Sequence, residues 1–222
     1  MQKRILVVAP HPDDETLGAG GTIAKFVAQG HRVDVLVVAG HLPPLYAIGC
    51  FEETVTEARA AFEILGVSNF QFLKTPATML GSEPVHVLNE KIASVVRDVA
   101  PQIVLVSYPD RHIDHRIVFE SVMVATRPVG VGRDIELVAA YETLSETHWN
   151  APHVEPNFTP NWVVDISANV EQKFAALACY KSQIPPFPGS RSIEAAEALA
   201  KFRGTQAGFA FGEGFHIIRM KS

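Results

Sequence analysis

The chain has little cysteine: Cys50 and Cys179 are the only two, far apart and in no C-x-x-C arrangement. That excludes a disulfide-built scaffold and a thiolate zinc site, and it fits a reducing compartment. Positive charge is also short. With 19 basic against 24 acidic residues the formal net charge is -5, so the basic field that nucleic-acid phosphates require is missing. No apolar run approaches the length of a membrane span, and Met1-Gln2-Lys3-Arg4 leads into an apolar stretch of only about six residues, too short for a signal-peptide core. The expectation is a cytoplasmic protein with no integral membrane segment. Internal repeats, low-complexity tracts and linkers are absent too. A chain of 222 residues with 47% hydrophobic content is enough for one core, so residues 1–222 are expected to form a single domain.

What the sequence does have is an apolar run, Ile5-Leu6-Val7-Val8-Ala9, that ends abruptly in Pro10-His11-Pro12-Asp13-Asp14-Glu15. Such a run reads as a buried strand of a parallel sheet, and such strands carry function where they stop. An imidazole and three acids crowded at that end repel one another unless a cation sits among them. A helix cap would need only one acid. The glycine-rich Thr16–Thr22, a helix over Ile23–Gly30 and a strand over Val33–Ala39 complete a βαβ unit. It is not a dinucleotide fingerprint, because the acidic turn separates the glycines from the strand and His41, not an acid, follows the second strand.

The pattern then alternates. Helices are expected over Glu52–Leu65, Val85–Val99, Ile117–Thr126, Val170–Tyr180 and Ile193–Phe202. Strands are expected over Phe70–Leu73, Gln102–Ser107, Glu136–Tyr141 and Trp162–Ile166, with a last strand region in Gly208–Arg219 turning at Gly212 and Gly214. This alternation predicts an α/β fold with a mostly parallel sheet. The strand before Tyr108 ends in a second polar cluster, Asp110-Arg111-His112-Ile113-Asp114-His115, whose two histidines lie three apart and project to one side of a helix start. In an open α/β sheet two such strand ends converge on one crevice. The loops 40–50, 74–84 and 150–161 are candidates for its walls. Trp149, Trp162, His148 and His153 fit either that pocket or a subunit contact.

Together the two clusters resemble the PIG-L/LmbE-like family of zinc-dependent de-N-acetylases. That family usually has Ala-His-Pro-Asp-Asp-Glu where Pro10–Glu15 stand and often His-Pro-Asp-His where His112–His115 stand. Weaker echoes lie at Gly20-Gly21-Thr22, Ile64–Val67, Tyr141-Glu142 and Tyr180–Gln183. The resemblance implies a Rossmann-like three-layer sandwich. It also implies that His11, Asp14 and His115 bind one divalent metal, a donor set that suits catalytic zinc and chemically admits iron(II). Asp13 then matches the general base, and His112 matches the residue that hydrogen-bonds the carbonyl oxygen as it becomes an oxyanion. Asp110 or Asp114 is placed to orient the His112 ring.

The implied reaction is attack of metal-activated water on the acetyl group of an N-acetylated amino sugar of the N-acetylglucosamine type, releasing acetate and an amine. The alternative is a non-catalytic sugar-binding or oligomer-forming module on the same fold. A zinc nucleobase deaminase would need a Pro-Cys-x-x-Cys element, which is absent. A two-metal phosphoesterase would need more bridging carboxylates. Many relatives carry a sugar-holding arginine about one helical turn before the acid matching Glu57, where Thr54 stands here. Arg59, from the next turn, and His41 are the expected substrate contacts. Relatives are often trimers or hexamers, so a homo-oligomer acting on a small molecule is expected.

Overall fold

Residues Ile5 to Ala9 are fully buried and form β1 (Arg4–Ala9) inside a seven-stranded sheet. In the computed structural model, which describes residues 2–151, 153–154 and 156–221, β1 has β2 (Arg32–Gly40) and then β3 (Asn69–Pro76) on one side. On its other side stand β4 (Ile103–Ser107) and then β5 (Leu137–Tyr141), all five parallel. Next to β5, β7 (Gly212–Met220) runs antiparallel, and β6 (Trp162–Asp165) pairs antiparallel with β7 at the far edge.

Alternate residues of a strand face opposite ways. Ile5, Val7 and Ala9 therefore pack against α1 (Asp14–Ala28), α2 (Cys50–Leu65) and α5 (Val170–Leu177), while Leu6 and Val8 pack against α3 (Val85–Val99) and α4 (Ile113–Ala125). Helices on both faces explain why an unbroken apolar run is stable here. The last helix, α6 (Ile193–Thr205), lies against β7.

Strand order positions the site. The chain leaves β1 for β2 and β3 on one side, then returns through α3 to lay β4 on the other side of β1. Neighbouring strands whose connections depart in opposite directions open a crevice at their carboxyl ends. Both polar clusters follow these two strands.

Several local expectations differ from the structure for reasons of packing. α1 begins at Asp14 and runs through Gly18, Gly20 and Gly21, well before Ile23. Each glycine costs a helix about 1 kcal/mol relative to alanine, yet a Cβ on Gly18 would lie 2.2 Å from Tyr141 Cδ2, so close approach to β5 demands one. α4 begins at Ile113 and not at Ile117, because His112 caps it, and α5 stops at Leu177. Gly212 and Gly214 make no turn. They lie within β7, where a Cβ on Gly212 would stand 2.8 Å from Val163 Cγ1. Of the loop 150–161, Pro152 and Glu155 lie outside the described residues. Its neighbours are tied down by Asn150 Nδ2 donating to the Pro156 carbonyl at 3.2 Å and Tyr108 Oη donating to that of Asn157 at 3.3 Å. Among the described residues no helix is long and apolar enough to cross a membrane.

Candidate metal centre and active site

The turn after β1 separates three adjacent acids. Asp13 has φ 119°, a left-handed backbone that costs a non-glycine residue roughly 1–3 kcal/mol, and the chain reverses so that the His11 N–H donates to Asp14 Oδ2 at 2.9 Å. The carboxylates diverge. Asp13 Oδ2 accepts from Arg191 Nη1 at 3.3 Å, and Asp14 Oδ2 faces two imidazoles. Glu15 Oε1 accepts from Tyr180 Oη at 2.5 Å and Thr16 Oγ1 at 2.7 Å. All three acids are buried. Glu15 is thereby committed to the core and leaves the site to the other two.

The turn after β4 supplies the second half. His112 is the N-cap of α4, and its Nδ1 accepts the Asp114 N–H at 3.1 Å, which leaves the proton of the neutral ring on Nε2. Asp110 Oδ2 accepts from His115 Nδ1 at 3.0 Å and from Thr147 Oγ1 at 2.9 Å, and its Oδ1 accepts the His112 N–H at 3.0 Å. Asp114 Oδ2 accepts from His11 Nε2 at 2.9 Å and from the Thr78 N–H at 2.6 Å. The two acids expected to orient His112 thus orient His11 and His115 instead, because the cap turn spends the His112 ring nitrogen on the backbone.

In the neutral rings the shorter bonds, to carboxylates that only accept, put the proton on His11 Nε2 and on His115 Nδ1 and leave His11 Nδ1 and His115 Nε2 with lone pairs. Both point at one atom: His11 Nδ1 is 3.2 Å and His115 Nε2 is 3.3 Å from Asp14 Oδ2. Acceptors facing an acceptor repel unless positive charge lies between them. Among the described residues, His115 Nε2, despite that approach, and Asp114 Oδ1 are buried and make no hydrogen bond. Ligand atoms about 2.0–2.1 Å from a tetrahedral zinc stand about 3.3–3.4 Å from one another, close to the spacing here. Nitrogens of His11, His112 and His115 also lie within 4.8 Å of one another, with ring centroids 4.6 Å apart for His11 and His112. The donor set therefore fits a divalent cation.

Without an ion, protons on the two rings supply the positive charge that this arrangement requires. Burial alone would lower His11, but hydrogen bonds to Asp114 and Asp14 outweigh it and raise the group to about 9. For His115 burial is again overcome, by Asp14 and Asp110, to about 10. Asp14 is held well below the usual carboxylate range despite burial, by His115 and His11. Asp13 is pushed up to about 7, chiefly by burial, against the pull of Arg191 and with added repulsion from Asp14 and Glu15. Burial and the charges of His11 and His115 keep His112 low.

The two expected substrate contacts part company. His41 is buried at the end of β2, its ring 4.2 Å from that of Tyr46. Burial, then the charges of His11 and Arg191, lower it to about 4, and it follows the carboxyl end of β2, the sheet edge that also carries the cluster. Arg59 is exposed and stacks over Phe70, 4.9 Å from the ring centroid, at the opposite end of edge strand β3. It follows Ala58 of the inward stripe and so points about 100° away from it, more than two turns beyond the start of α2. Thr54 is buried with its hydroxyl on the carbonyls of Cys50 and Phe51, both at 3.1 Å. Trp149 is exposed, and Trp162 packs on Phe215 within the sheet. Arg191, Thr147 and the Thr78 N–H were invisible to motif reading, since each is a lone residue in a loop brought in by tertiary structure.

Comparison with known proteins agrees with this geometry. The chain is 27% identical to the diacetylchitobiose deacetylase of Thermococcus kodakarensis over 97% of its length and 83% of the relative's. It is 29% identical to the probable N-acetyl-alpha-D-glucosaminyl L-malate deacetylase 2 of Bacillus cereus, over 82% and 84%. The fold is shared with the 4-carboxy-2-hydroxymuconate hydratase GalB of Pseudomonas putida KT2440 at TM-score 0.79 and 21% identity, covering 100% of this chain and 98% of that one. Residues 6–126, which contain both polar clusters, match the family described as PIG-L, GlcNAc-PI de-N-acetylase, and the chain belongs to that family.

Proposed function

We propose that the protein is a metal-dependent amide hydrolase that removes the acetyl group from an N-acetylated amino sugar of the N-acetylglucosamine type. The observation that carries this reading is the convergence of His11 Nδ1 and His115 Nε2 on Asp14 Oδ2 with Asp13 alongside. The fold does not choose the reaction, since a hydratase shares it. The deacetylase relatives, aligned over most of the chain, favour amide hydrolysis.

His11, Asp14 and His115 would hold the ion, proposed to be zinc, with iron(II) as the chemical alternative. When bound, it supplies a Lewis acid that acidifies water and polarises a carbonyl. Asp13, poised near neutrality, takes the proton from the attacking water and returns it to the departing amine. His112, neutral and with its proton on Nε2, donates to the acetyl oxygen as negative charge develops there. Asp114 and Asp110 keep the two ligand rings in register, and His41, at the same sheet edge, is a contact for the sugar. The presence of Asp13 argues against a non-catalytic module.

The test is acetate release from N-acetylglucosamine, its oligomers and its conjugates, with metal content measured in parallel. Asp13→Asn should keep its metal and lose roughly 10²–10⁴-fold in rate. Undiminished turnover in that variant, or a wild type that holds no metal, rejects the assignment. We further propose a cytoplasmic homo-oligomer, trimeric or hexameric, built from one domain per chain, which light scattering and limited proteolysis would check.

A further inference from the structure

One guanidinium makes three bonds at the edge of the site. Arg191 Nη1 donates to Asp13 Oδ2 at 3.3 Å, Nε to Ser145 Oγ at 2.9 Å and Nη2 to Glu146 Oε1 at 3.2 Å. Two of the three partners have left-handed backbones, Asp13 at φ 119° and Ser145 at φ 76°. Such strain persists only where the surroundings over-determine it, and here the same side chain grips both. Arg191 is itself anchored. The next residue, Ser192, is fully buried and caps α6, its Oγ accepting the Ala195 N–H at 3.1 Å.

Asp13 needs such a partner. It follows β1 directly before Asp14, so a single turn has to send adjacent carboxylates to different tasks. The Arg191 guanidinium, 3.3 Å from Asp13 Oδ2, is the cation on that carboxylate and turns it away from the oxygen of Asp14 that faces the two imidazoles. The guanidinium does not release its proton at ordinary pH, so it contributes charge and direction. A planar fork fixed at two other points defines the angle of the third, which an ammonium cannot do.

We propose that Arg191 is a positioning residue for the reaction: it acts through Asp13, holding that carboxylate aimed while Ser145 and Glu146 hold the fork. This rests on the reading of Asp13 as the base. It also explains why a loop between α5 and α6, remote in sequence from both motifs, reaches the site.

The experiment combines Arg191→Ala and Arg191→Lys with Asp13→Asn. Arg191→Ala should keep full metal content and lose roughly 30–100-fold in kcat with KM changed less than about twofold, because an aimed base serves the chemical step and not ground-state binding. Arg191→Lys should recover only a small part, and added guanidinium ion should restore several-fold activity to Arg191→Ala. In the Asp13→Asn background the same alanine change should alter kcat by less than about twofold, the signature of a residue acting through its neighbour. A rise in KM at constant kcat, loss of metal, or an equal loss in both backgrounds overturns the proposal. If the wild type releases no acetate from any acetylated sugar, the functional reading fails by itself. The clamp is then judged by urea unfolding: a midpoint drop at least about twofold smaller in the Asp13→Asn background upholds it, and equal drops overturn it.

Discussion

Two regions of the molecule bury ionic groups beside α1, and they differ in whether protein atoms alone satisfy them. Lys173 on α5 and Glu213 on β7 form a buried pair at 2.6 Å. The ammonium also donates to the Leu17 carbonyl, and the carboxylate accepts the Gly21 and Thr22 N–H groups at 2.9 and 2.7 Å. Nearby, Arg203 grips both oxygens of Glu142 at 2.7 Å each. At the carboxyl edge, by contrast, two imidazole nitrogens meet one carboxylate oxygen, His115 Nε2 makes no hydrogen bond among the described residues, and titrating groups are driven far from their ordinary ranges. A satisfied buried pair does structural work. A deficient one marks the place where something else binds.

The sharpest way to break this contrast is Asp14→Ala, which removes the atom both imidazoles face. Metal should be lost on dialysis and acetate release should fall to background, while the fold, read by circular dichroism, survives. If metal stays bound, the deficiency lies elsewhere, with the three histidines as the next candidate set.

The next largest effect is in pH. The folded imidazoles of His11 and His115 sit at about 9 and about 10 without metal, above the value of about 6.5 expected in the unfolded chain. A raised folded value means that the folded state binds more protons in between. The stabilisation from these groups is therefore complete below about pH 6.5 and is lost as pH climbs through about 9 and 10. Urea unfolding of metal-free protein across that range should show the decline, and metal, which displaces those protons, should flatten it. A flat metal-free profile would contradict the raised values of the two imidazoles.

On the satisfied side, Lys173→Met should cost about 3–5 kcal/mol by leaving Glu213 buried and unpaired, and Lys173→Met with Glu213→Leu should regain much of it. Metal affinity should be unchanged in both, and a coupled loss of metal would erase the distinction between the regions. The smallest effect sharpens the other side. Asp110→Asn should weaken metal binding roughly 10–100-fold by loosening the His115 ring, with only a minor change in unfolding midpoint.

Much of the deficient region was legible in the chain because its donors come in two short runs at the ends of apolar strands, and strand order brings such ends together. The roles of Asp110 and Asp114 were misassigned for a local reason: the cap bond from Asp114 N–H to His112 Nδ1 depends on where α4 begins, and sequence pattern locates helix starts poorly. Arg59 was misplaced by helix phase, one residue beyond the inward stripe. Arg191 had no signature at all, since its partners Asp13 and Ser145 are 178 and 46 residues away. The glycines of α1 illustrate the reverse case, where propensity predicts a break and contact with Tyr141 overrides it.

The adjacency of β1 and β4 sets when this protein first acquires its chemistry. The bond from His11 to Asp114 spans 103 residues, so a chain growing from the ribosome carries the first donors long before it can close the grip on an ion. Capture of the ion is therefore a report of assembly: it requires β4 docked on β1 and α4 begun, and a polypeptide stalled before His115 offers only an unshielded knot of acids.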